Sequence, residues 1–231
     1  MLDVYERETS ITSLLFVMSQ VAALPTQAPA ETIRLEAAVT AVQQNIANSI
    51  ASRTHIRNVA LLYPSEEDLL AYGDSASDFL ILELAEHFRR YDLSQFPAFA
   101  GVEYRRSVRG STLVYKRASG HVTGSFAEAM CPWVLEELGI KTGSLLRFKS
   151  LSPGAFGKVV PDFLILTPAG EVPCEVKHYS DWINWSGMST AVTQVASAVR
   201  ELGSSHGYIF AALNKPNGQF RYTVEVIRLA A

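Results

Sequence analysis

The stretch from Lys158 to Ser180, KVVPDFLILTPAGEVPCEVKHYS, constrains this chain more than any other. It reads as two short apolar strands joined by a tight turn. Side chains alternate faces along a strand, so residues two apart share a face. Glu175 and Lys177 therefore point one way, and Cys174 and Val176 the other. With Pro168-Ala169 as a two-residue loop, Thr167 faces Gly170 and Asp162 faces Glu175, their Cβ atoms about 5 Å apart. A turn shifted to Ala169-Gly170 puts Asp162 opposite Lys177 instead, still on the same face. Only an odd loop length or a bulge separates the three. The pattern predicts two carboxylates and one ammonium converging on one side of a hairpin.

Two carboxylates that close repel, and a shared proton or a divalent cation relieves the repulsion. A small set of oxygen ligands suits Mg²⁺, which keeps several waters and accepts phosphate oxygens. A lysine beside such an ion can hold an attacking water or help deprotonate it. The plainer alternative is two ordinary strands with charged residues at a sheet edge.

Pro161-Asp162 followed by Glu175-Val176-Lys177, with this spacing and these apolar flanks, resembles the PD-(D/E)xK nuclease superfamily, which has the restriction-endonuclease-like fold. The resemblance implies a Mg²⁺-dependent deoxyribonuclease, with Mn²⁺ able to substitute, that leaves 5′-phosphate and 3′-hydroxyl ends. It implies that Asp162 and Glu175 bind the metal, that the backbone carbonyl of Val176 completes the coordination, and that Lys177 positions the nucleophile.

The flanking segments extend that reading. Ser125 and Glu128 form an S-x-x-E capping box before Met130, Val134 and Leu138, which gives Glu128 a structural role. In the superfamily a helix before the central hairpin often supplies a further acidic ligand, and GSFAE resembles it. The resemblance thus makes Glu128 a metal ligand, with Glu136 as the fallback. Pro132 removes the hydrogen bond to the Glu128 carbonyl. It either kinks the helix and aims Glu128 inward, or it marks the true helix start. Residues 144–151 read as the first strand of the catalytic sheet, with the hairpin as the second and third. Residues 188–203 read as a helix burying Val192, Val195, Val199 and Leu202. Gln194 sits on that helix, and some superfamily members place a glutamine here to assist the site. GYIFAALN and QFRYTVEVIRL are the last strands.

From Ser125 onward the order is helix, three strands, helix, two strands. It matches the superfamily's α/β fold: an αβββαβ core with a mixed central sheet flanked by helices. The domain expectation is a nuclease domain over 101–231, preceded by a mainly helical region over 1–100 serving dimerisation, regulation or specificity.

In the N-terminal region residues 3–23 read as a helix. Pro25 and Pro29 break the chain, and Pro29 fits the first turn of a second helix. Leu35, Val39, Val42, Ile46 and Ile50 form its apolar stripe, which packs on the core or forms a dimer seam. Ser65 with Asp68, and Ser75 with Asp78, signal further helix starts. Residues 102–117 read as a hairpin carrying Arg105, Arg106, Arg109, Lys116 and Arg117 with Tyr104 and Tyr115 between them. It is either a phosphate-contacting ribbon or a solvated edge. Trp182 and Trp185 follow the catalytic hairpin. They either stack on a base or pack into the protein, and packing is the commoner fate.

The net charge of −3 provides no global basic field, so attraction to phosphate needs a local patch. Cys131 and Cys174 offer no disulfide framework and read as buried free thiols in a reducing cell. The apolar run from Ile11 to Leu24 is too short to span a membrane, and the acidic residues before it are unlike a signal peptide. These features predict a cytoplasmic protein with no membrane partner. DNA is the expected partner, and a homodimer is the natural assembly, since cutting both strands takes two sites. Restriction, anti-phage defence and repair are not separated by the sequence. Two alternatives stand beside the endonuclease: a non-cleaving nucleic-acid-binding or assembly protein that keeps the fold, and a nuclease acting on RNA.

Overall fold

The apolar alternation of the hairpin belongs to a mixed sheet with seven strands among the described residues. A computed structural model describes residues 2–24, 28–62, 127–128, 130–140, 144–147, 160–179, 182–214 and 222–231. The strands are β1 (Leu2–Ser10), β2 (Arg57–Leu62), β3 (Ser144–Arg147), β4 (Phe163–Thr167), β5 (Gly170–Tyr179), β6 (His206–Asn214) and β7 (Tyr222–Ala230). The helices are α1 (Thr12–Ala22), α2 (Pro29–Ala51), α3 (residues 127–128 and 130–137) and α4 (Trp185–Leu202).

The strand order is β2-β1-β7-β6-β5-β4-β3. Strands β3, β4 and β5 are antiparallel neighbours. β5 and β6 are parallel, which demands a crossover, and α4 supplies it. β7 returns antiparallel to β6. β1 then adds to β7 in parallel along its full length, and β2 pairs antiparallel with β1 on its other side.

Each face of the sheet buries its own core. On one face Met130, Cys131, Trp133, Val134 and Leu135 of α3 cover Phe163, Ile165, Cys174, Val176 and Phe210. On the other, Val192, Val195 and Val199 of α4 meet Ile209, Ala211, Leu213 and Ile227, with Ile46 and Ile50 of α2 beside them. The α2 stripe thus packs on the core, and Pro29 opens that helix. Helix α4 starts earlier than residue 188 because Asn184 caps it: its Oδ1 accepts from the Gly187 N–H at 2.6 Å. Gly203, at φ 66°, ends it in the left-handed conformation.

The expected helix over 3–23 is corrected. Residues 2–10 are a strand, and only 12–22 are helical. Leu2 and Val4 are buried at period two, and every residue of β1 pairs with β7, more than two hundred positions away in the chain. Such tertiary pairing overrides the helix preference of the Glu and Arg residues in this segment. The boundary expected near residue 100, the helix signals at Ser65 and Ser75, and the turn after Asn214 lie outside the described residues. Among the described residues no helix is long and apolar enough to cross a membrane.

A buried ion pair ties the N-terminal segment to the sheet. Arg53 follows α2 at φ 55°, a conformation that favours glycine. Its Nε donates to Oε1 of the fully buried Glu225 on β7, and its guanidinium lies 5.9 Å from the Tyr5 ring centroid. Arg7 donates to the Ser49 and Ile50 carbonyls at the end of α2, both at 3.1 Å.

Close approach of α4 to the sheet depends on Gly207. A Cβ there would lie 2.4 Å from Val195 Cγ1 and 3.0 Å from the Pro173 carbonyl oxygen. Gly207→Ala is expected to destabilise the protein by about 1–3 kcal/mol through overpacking. A urea titration measures it, with a lower midpoint and an unchanged slope expected.

Candidate active site

The hairpin closes in the first of the two registers. Thr167 pairs with Gly170 and Phe163 with Cys174, so Pro168-Ala169 is the loop. Thr167 Oγ1 braces the turn, donating to the Gly170 carbonyl at 2.8 Å and accepting from the Ala169 N–H at 3.2 Å. Counting back, Asp162 stands just before β4, opposite Glu175. The two are joined by crossed bonds. The Asp162 N–H donates to Glu175 Oε2 at 3.0 Å, and the Val176 N–H donates to Asp162 Oδ2 at 2.9 Å.

Lys177 completes the group. Its Nζ donates to Glu175 Oε1, and to Gln194 Oε1 on α4 at 3.3 Å. Gln194 in turn donates through Nε2 to the Val160 carbonyl at 2.8 Å. One glutamine thus links the lysine to the segment leading into Asp162. The structure therefore brings together Asp162, Glu175, Lys177 and Gln194, with the Val176 backbone between the acids. The Val160 carbonyl was invisible to sequence reasoning, because no side-chain pattern marks a backbone acceptor.

Burial dominates the electrostatics. Glu175 is 1% exposed, and burial, reinforced by the Asp162 carboxylate, pushes its pKa up to about 8 while Lys177 pulls the other way. Burial alone holds the neighbouring His178 down at about 4. Tyr179, on the same face two residues beyond Lys177, has its hydroxyl raised by burial and then by Glu175. Sequence alternation could have flagged it.

Behind β5, on the opposite face, Cys131 and Cys174 are free and buried, with sulfurs 3.8 Å apart. Burial raises the Cys131 thiol well above its ordinary range, followed by Cys174, Asp162 and Glu128. Both carboxylates therefore lie within electrostatic reach of one thiol. Glu128 sits on α3, across the sheet from Glu175 and Lys177. Helical residues run on both sides of Pro132, so α3 does not begin there. Glu136 is exposed, eight residues and about 12 Å further along α3. The basic residues Arg105, Arg106, Arg109, Lys116 and Arg117 lie outside the described residues. Trp182 and Trp185 do not pack inward: they are 70% and 52% exposed. Ile183, between them, takes the buried position.

The side-chain donors at Asp162 and Glu175 are hard oxygens, the chemistry Mg²⁺ prefers. Burial disfavours the charged form of Glu175, as its raised pKa reports, so a cation beside it would stabilise the carboxylate. Among the described residues no group of three His, Cys, Asp or Glu gathers to hold a metal. The carboxylate pair fits an ion whose remaining positions are filled by water and substrate oxygens, as Mg²⁺ sites commonly are. No protein-family model matches the chain, and no curated protein or solved structure matches it either.

The raised Glu175 pKa has a defined consequence for stability. Between its ordinary value of 4.5 and about 8 the folded state holds a proton that the unfolded state releases. Its contribution to stability is complete below 4.5 and is lost as pH rises through about 8. His178, held near 4, is neutral in the folded state across pH 7–9, and the unfolded imidazole, largely deprotonated there, adds only a small opposite slope near pH 7. In metal-free buffer the melting temperature is expected to fall between pH 7 and 9, and Glu175→Gln is expected to flatten that fall. Differential scanning calorimetry at several pH values reads both.

Proposed function

We propose that this chain is a Mg²⁺-dependent nuclease with a restriction-endonuclease-like αβββαβ core that hydrolyses phosphodiester bonds in DNA. The observation that carries the reading is the convergence of Asp162, Glu175 and Lys177 at one hairpin, with two crossed backbone bonds aligning the acids. The element sequence α3, β3, β4, β5, α4, β6 supports it, because it follows the superfamily's order with β5 and β6 parallel.

Asp162 and Glu175 would hold the ion, with the Val176 carbonyl adjacent. Bound there, Mg²⁺ supplies positive charge beside the scissile phosphate and acidifies a coordinated water. Lys177 has three N–H donors. Two are engaged by Glu175 and Gln194, which leaves the third for an attacking water or a phosphate oxygen. That donor faces charge as it develops on the phosphorane-like transition state. Gln194 acts as a positioning residue: it fixes the ammonium and, through Val160, the approach to Asp162. Glu175 gives up its proton when the ion binds, so apparent metal affinity rises with pH.

The test is incubation of plasmid and of short DNA strands with Mg²⁺, Mn²⁺ or EDTA. Wild type is expected to cut only with metal. Lys177→Ala and Asp162→Asn are expected to lose about 100-fold or more in rate while remaining folded by circular dichroism. Cutting that persists in both variants would overturn this assignment of the site. Strand binding without cutting, unchanged in Lys177→Ala, would instead favour a non-cleaving binding protein.

A further inference from the structure

The segment that leaves the catalytic strand carries the largest exposed aromatic surface among the described residues. Trp182 and Trp185 flank the N-terminus of α4 and are 70% and 52% exposed. Their exposure is not that of a loose tail. Ile183 between them is 4% exposed and packs in the α4-side core. Asn184, also between them, caps the helix. Gly187, in the first turn, lies against Tyr179: a Cβ there would be 3.2 Å from the Tyr179 hydroxyl. The two indoles are thus held outward on a chain pinned from beneath.

We propose that Trp182 and Trp185 form a stacking platform for unpaired bases of the strand on which the Asp162–Glu175–Lys177 site acts, which makes that site's substrate single-stranded or locally opened nucleic acid. The inference rests on the nuclease reading for its link to cleavage, but its binding step can be measured separately.

Three observations carry it. The first is chemistry: a solvated indole face stacks on any base, whatever the sequence, whereas bases within a duplex already use both faces on their neighbours. The second is placement. Gln194, which holds Lys177, lies nine residues along α4 from Trp185, so their backbones stand about 14 Å apart along the helix axis. That interval is about four nucleotides of a stacked strand at about 3.4 Å each. A base on the platform and a phosphate at Lys177 can belong to one short strand. The third is charge. The first turn of α4 has no acidic residue and its cap is a neutral asparagine, so the positive end of the helix dipole lies between the indoles with no acidic side chain in that turn to offset it.

The experiment titrates the full chain in EDTA with a 12-nucleotide single strand, and separately with the same sequence as a blunt duplex. Tryptophan emission and fluorescence anisotropy are recorded. The third tryptophan, Trp133, is 6% exposed and packs in the α3-side core, so quenching reports on the platform. Wild type is expected to be quenched by the single strand and much less by the duplex. Trp182→Ala with Trp185→Ala is expected to weaken single-strand binding about ten-fold or more, with Trp185→Phe retaining most of the affinity. Unchanged emission, or equal affinity in wild type and the double variant, would overturn the platform. So would a wild-type dimer that Trp182→Ala converts to a monomer, because the patch would then cover a second copy. A quenched but non-cutting protein in Mg²⁺ would remove the nuclease reading and leave the platform standing. A cutting protein indifferent to both tryptophans would do the reverse.

Discussion

Two backbone amides hold the two carboxylates at the centre of this molecule. The Asp162 N–H reaches Glu175, and the Val176 N–H reaches Asp162. Backbone donors are positioned by strand register, not by side-chain rotamers, so the separation of the acids is set once the hairpin closes. Buried carboxylates need such donors, because an unpaired charge away from water is strongly disfavoured. Lys177 offers a third partner from the same face, and its position follows from the two-residue period of β5.

The crossover helix turns that hairpin into a site. Parallel pairing of β5 with β6 requires a long connection, and α4 lies across the sheet close enough for Gln194 to touch both Lys177 and the Val160 carbonyl. Gly207 and the valines of α4 set that closeness. On the far face, α3 packs its cysteine against Cys174, directly behind Glu175. The two faces of the hairpin differ: behind β5 the packing is apolar, whereas its charged face holds carboxylates where amides and the lysine compensate them. Glu225 repeats the solution elsewhere on the charged face, with Arg53 holding a left-handed backbone angle to reach it.

Much of the site was legible before any coordinates. The hairpin, its two-residue turn and the side shared by Asp162, Glu175 and Lys177 follow from alternation and turn chemistry, which are local, while the choice between two registers was made by the fold. Gln194 could be placed on the right helix because a 3.6-residue period is also local. The start of α4 was misplaced by three residues, since apolar periodicity overlooks an asparagine cap. Trp182 and Trp185 were expected to pack because tryptophan usually does, and burial of a particular ring depends on what lies above it.

What the sequence determined by itself is the short-range part: that the hairpin strands extend, that α2 and α4 coil, and which charged residues share a face of one hairpin. The tertiary structure alone decided that Leu2–Ser10 is a strand, that it joins β7 from the far end of the chain, and that α3 lies across the sheet from Lys177. The reason is physical. Periodicity records the environment of a side chain one or two turns at a time, whereas strand partners, helix faces and the burial of Glu175 depend on surfaces contributed by distant segments, whose meeting leaves no periodic trace in either one.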